Sequence, residues 1–163
     1  MRRIVGIYVR LPMSEIERLK SQPEILPKYD PRVALADGRG LDLGTAWEHL
    51  GCFLDGGVRL PEHGPTVGEV PMPDTDPRAA WSYVTPERVG VVAQALLDLR
   101  RNDFHRHFKT DPEETADSLP GELTGAWGNR TAVLFKKLRA LAAHYAEAAR
   151  RGEAMLVRIG ERM

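Results

Sequence analysis

Apolar residues recur in this chain at two spacings, one that suits strands and one that suits helices. Ile4, Val5, Ile7, Tyr8 and Val9 form a β-prone run without a helical period, which predicts a first strand over Arg2 to Arg10. Ser14-Glu15-Ile16-Glu17 has the form of a capping box. The serine oxygen would accept from the amide of Glu17 and open a short helix, Glu15 to Ser21, that ends before Pro23. Pro23, Pro27, Pro31, Gly38 and Gly40 mark residues 22–40 as mostly loop. Leu43, Ala46, Trp47, Leu50, Phe53 and Leu54 then share one helix face, at offsets 0, 3, 4, 7, 10 and 11. Asp42 is the expected N-cap of that helix and Gly56-Gly57 its stop.

From Gly56 to Ala80 the chain holds five prolines and four glycines. A loop of that length inside a domain is functional or mobile. Trp81 to Val84 reads as a short extended entry to the next helix. That helix opens at Thr85-Pro86-Glu87, with Thr85 as N-cap, and buries Val89, Val92, Ala93, Leu96 and Leu99. A shorter helix near Asn102 carries Phe104 and Phe108 four residues apart. A second loop, Lys109 to Gly128, precedes the longest helix, Arg130 to Arg151. Leu134, Leu138, Leu141, Tyr145 and Ala148 form the seam of that helix, and Gly152 ends it. Met155, Val157 and Ile159 alternate as a last strand.

A chain that begins and ends with a strand and is mostly helix between is α+β by element order. Two short apolar strands need partners, so the expectation is one small sheet that pairs the terminal strands, with helices packed on it. At 163 residues the chain is the length of a single domain.

Composition narrows the function classes. The 23 basic and 23 acidic side chains cancel. No basic stripe with interleaved aromatics is present, so neither nucleic acid nor an anionic membrane is an expected partner. Neutrality leaves a homodimer open. Cys52 is the one cysteine, which excludes an internal disulfide and favours the cytoplasm. The apolar run after Arg2-Arg3 ends at Arg10, too short for a signal core or a membrane span. Arginine outnumbers lysine 18 to 5, a bias typical of a GC-rich bacterial genome.

The chain resembles the YfbM-like family of uncharacterised bacterial proteins, domain of unknown function 1877. The likeness covers most of the sequence. It rests on Leu41-Asp42-Leu43 leading into Ala46-Trp47 and Leu54-Asp55-Gly56, on Tyr83-Val84-Thr85-Pro86-Glu87-Arg88-Val89, on Phe104 to Phe108 before Asp111-Pro112, and on Leu138 through Ile159. The resemblance implies a compact α+β domain and no established activity, cofactor or substrate. The family pattern often has a histidine directly after the leucine matched by Leu50. Here Gly51 stands there, and a histidine precedes the leucine, at His49.

Candidate chemistry is sparse. His105 and His107 point to opposite sides of a helix and cannot share an ion. Asp103 and His107 could, but two ligands leave a site incomplete. Cys52, mid-helix among apolar residues, reads as a partly buried, inert thiol. Gly38-Arg39-Gly40 with Gly44 has neither phosphate-loop spacing, and Glu113, Glu114, Asp117 and Glu122 read as a solvated acidic loop. No catalytic residue, metal site or cofactor is assigned. The aromatics carry more. Trp47 lies on an apolar helix face and reads as core, whereas Trp81 and Trp127 flank the two long loops. The expected function is a non-enzymatic binding module, inhibitor- or immunity-like, with a protein partner. The alternative is an enzyme or small-molecule binder with a pocket between the loops, lined by Trp81, Tyr83, Trp127 and Arg130.

Overall fold

The computed structural model describes residues 3–55, 66–100, 104 and 127–163. Strand β1 (Ile4–Leu11) leads into helix α1 (Met13–Ser21), a 3-10 helix (Pro23–Lys28), α2 (Pro31–Asp37) and β2 (Gly40–Gly44). Helix α3 (Ala46–Asp55), the two-residue strand β3 (Val70–Pro71), β4 (Ala79–Val84) and α4 (Pro86–Leu97) follow. The long helix α5 (Trp127–Arg151) and β5 (Ala154–Glu161) close the chain. The fold is α+β. The described strands form one antiparallel sheet in the order β2-β1-β5-β4-β3. The terminal strands pair along their full length, from Ile4 opposite Glu161 to Leu11 opposite Ala154, as the two end runs led one to expect.

Both central strands are buried on both faces, so they read as near-continuous apolar runs. Alternation sorts their side chains. One face carries Tyr8, Val84, Met155 and Val157 beneath α3, α4 and α5 in the larger core. There Phe104 meets Phe53 edge-on at 5.1 Å. The other face carries Val5, Ile7, Val9, Trp81, Tyr83 and Leu156. It is covered by Ile16 and Leu19 of α1, Leu26 of the 3-10 helix and Ala34 of α2.

Several local expectations are corrected. Helix α1 starts at Met13 with Pro12 at its cap and no side-chain capping bond, so Ser14 lies inside the first turn. Residues 22–40 are largely helical. Asp30 accepts from the amide of Arg32 at 3.0 Å and Pro31 takes the first helical position, which starts α2. Gly38 stops it in the left-handed region, with φ 85°. Leu41 to Leu43 belong to strand β2, and Asp42 accepts from Gly44 N at 2.7 Å in a turn rather than capping α3. Trp81 to Val84 are the heart of β4. Cys52 is exposed. Trp47 is half-buried at the margin of the larger core, with Nε1 donating to Ile4 O. Thr85 caps α4 as expected, accepting from Arg88 N. The helix expected near Asn102 and the loop from Lys109 lie almost wholly outside the described residues. No helix among those described is long and apolar enough to cross a membrane.

Candidate functional site

The thinner helical layer leaves part of its sheet face uncovered. β5 sends Ala154 and Leu156 into the smaller core, and Arg158, next in the alternation, emerges on the same face where that core ends. β4 places Trp81 directly opposite Arg158. The guanidinium carbon of Arg158 lies 5.7 Å from the centroid of the Trp81 ring, a cation–π contact. Tyr29 meets the same indole edge-on at 5.8 Å.

Polar bonds fix this pair from below. Trp81 Nε1 donates to Asp76 Oδ2 at 3.0 Å, and Arg78 N donates to Asp76 Oδ1 at 2.9 Å. Burial pushes the Asp76 carboxyl upward. These two hydrogen bonds and the charges of Arg158 and Arg78 outweigh it and hold the group below the usual aspartate value. Arg158 is 4% exposed, and its Nη1 donates to Glu161 O at 2.9 Å. Burial lowers its pKa, opposed by Asp76 and Glu161. No ion pair joins Arg158 to Asp76 among the described residues.

Above the pair lies a cleft of about 430 Å³. Tyr29 and Arg32 bound it on the α2 side, Arg78 on the β4 side, and Arg162 and Met163 where β5 ends. Five cationic side chains line it against three carboxylates. Arg32 is spent on Asp30, which it grips through Nε and Nη2 at 2.9 Å each.

Trp81 and Tyr83 take different places. Trp81 is in the cleft. Tyr83, two residues on, faces the same side but is buried in the core, and its hydroxyl accepts from Lys20 Nζ at 3.0 Å. Trp127 begins α5, which packs on the opposite face of the sheet. The side chains of Trp127 and Arg130 lie outside the described residues, as do Asp103, His105, His107 and the acidic set from Glu113 to Glu122. Gly38 to Gly40 form the turn from α2 into β2. Gly38 O accepts from Arg10, and a Cβ on Gly40 would stand 2.9 Å from Leu35 N. No group of three or more metal-ligating side chains exists among the described residues.

Asp76, Tyr29 and Arg158 were not singled out from sequence. Only Arg158 leaves a signal there: a charge at an inward position of an otherwise apolar strand. Gly51 is buried on α3, and a Cβ there would meet Thr66 Oγ1 at 3.0 Å. A side chain at this position therefore needs the Thr66 hydroxyl to give way.

A family model described as a domain of unknown function, DUF1877, matches residues 3–158. A solved structure of a protein of unknown function, YfbM from Escherichia coli, superposes with a TM-score of 0.67 at 18% identity. The match covers 95% of this chain and 99% of that one. This likeness is one of fold. No curated protein matches the chain.

Proposed function

The chain belongs to the DUF1877 family, and from that premise we propose that it is a ligand-binding module whose ligand sits in the cleft over Trp81. The observation that carries this reading is Arg158, a guanidinium held at the bottom of a 430 Å³ cleft by an indole and one backbone carbonyl. A cleft of that size lies within the range of small-molecule pockets, about 300–1,000 Å³. Burying a charge is costly, and an isolated stability role is better served by an apolar residue at that position.

The charge states at the bottom of the cleft favour recognition over proton transfer. Asp76 is held below the usual aspartate value and an arginine stays cationic, so neither exchanges a proton near neutral pH. A small molecule is favoured over the protein partner of an inhibitor- or immunity-like module, because the distinctive chemistry is recessed rather than spread over a flat face.

A fragment library screened by NMR tests this reading. Hits are expected to perturb Tyr29, Asp76, Trp81 and Arg158 together. A library whose hits cluster elsewhere, or that yields none, removes the cleft as the binding site.

A further inference from the structure

The donors of Arg158 identify the chemical class of the ligand. Arg158 Nη1 is engaged by Glu161 O. Nε and Nη2, the fork on the other edge of the guanidinium, bond to nothing among the described residues. Nor are they sealed off, since the fully enclosed side-chain polar atoms without a partner there are Glu69 Oε2 and Arg88 Nε. Both atoms keep some access to solvent, and Arg158 lines the cleft. The guanidinium carbon stays 5.7 Å from the Trp81 ring centroid, and Asp76, already bonded to Trp81 and Arg78, does not fill the fork.

We propose that the cleft binds a small organic acid, its carboxylate seated bidentately on Arg158 Nε and Nη2. This proposal rests on the cleft being the binding site. A planar carboxylate matches the planar fork through two parallel N–H···O bonds; a phosphate group fits the same fork, and the titration below tells the two apart. Pro27, Tyr29 and Met163 supply the apolar part of a mostly charged lining, and Tyr29, only half-buried, offers a ring face to an aromatic acid. Arg78 adds a second cation at the rim, which raises the local concentration of anions.

The test is calorimetric titration of the full chain with benzoate, benzamide and phenyl phosphate. Benzoate is expected to bind at least about tenfold more tightly than benzamide, which has the same ring and no charge. R158Q is expected to lose at least that factor. R158K, which keeps the charge but not the fork, should fall between the two. Equal binding of benzoate and benzamide, or benzoate binding untouched in a folded R158Q, overturns the carboxylate assignment while leaving the cleft as a ligand site. Tighter binding of phenyl phosphate than of benzoate also overturns it. If no probe binds, the cleft reading and this one fail together. Should R158Q fail to fold, the comparison of the three probes on the unaltered protein still decides.

Discussion

Trp81 and Arg158 face each other across the β4–β5 pair, and each is held by a bond the other does not share. The indole Nε1 donates to Asp76 at 3.0 Å, and the guanidinium Nη1 donates to Glu161 O at 2.9 Å. Neither bond uses the free edge of the guanidinium. The pair is thus pre-organised by the sheet, at a place where the covering helices run out. Substitutions around it, and around the other buried polar groups, have defined consequences.

Trp81→Phe keeps an aromatic face beneath Arg158 and removes the donor to Asp76. The carboxylate is then left buried with Arg78 N as its remaining hydrogen-bond donor. Loss of a hydrogen bond to a charged group is expected to lower stability by about 1.5–3 kcal/mol, read from urea unfolding.

Gly160 lies opposite Ala79 at the β4–β5 pair, two residues beyond Arg158. A Cβ there would collide with Ala79 Cβ and Arg78 O, neither of which is the end of a flexible chain. Gly160→Ala is expected to cost about 1–3 kcal/mol and to push β4 outward beside the cleft. An unchanged urea midpoint would contradict that packing.

Arg10 and Glu153 form an ion pair at 2.8 Å, with side chains 9% and 13% exposed. Glu153→Ala strands a buried guanidinium that keeps a 3.3 Å bond to Gly38 O. The expected loss is about 3 kcal/mol, and Arg10→Met combined with Glu153→Leu should restore much of it. A double-mutant cycle in urea reads both numbers.

His144 gives the fold an acid sensitivity. Its Nε2 lies 2.9 Å from Tyr8 O, and a carbonyl can only accept, so the neutral ring carries its proton on Nε2. Burial lowers its pKa to about 4; the bond to Tyr8 opposes this and the charge of Arg10 adds to it. The folded pKa lies below the unfolded value near 6.5, so the unfolded chain takes up the proton first. Stability is complete above about pH 6.5 and falls as pH drops toward 4, by up to about 3 kcal/mol. His144→Gln, whose amide still donates to Tyr8 O, should flatten that slope between pH 7.5 and 4.5.

Much of the fold was legible in the chain, and the reasons are local. Leu134, Leu138, Leu141 and Tyr145 declare a helix through their period, and Thr85-Pro86 declares the start of another. The terminal strands were legible as apolar runs. The second helix was hidden because Pro31 and Gly38 are as common in loops as at helix ends, and only the Asp30 bond to Arg32 N decides between them. Strand β2 was hidden because Leu43 continues the spacing of α3 across a turn. The site was barely legible. Trp81 stood out as an aromatic, but Asp76 and Tyr29 reach it only through tertiary contact. Arg158 was one charge in an apolar strand until its cross-strand partner was known.

The indole N–H resonance of Trp81 reports most directly on a carboxylate in the cleft. The chain has three tryptophans, and the Trp81→Phe protein identifies which indole signal belongs to that residue. As benzoate is added, that signal is expected to shift in a saturable way, while benzamide at the same concentrations leaves it in place. A Trp81 indole that ignores benzoate, or that responds equally to both compounds, would contradict a carboxylate seated on Arg158.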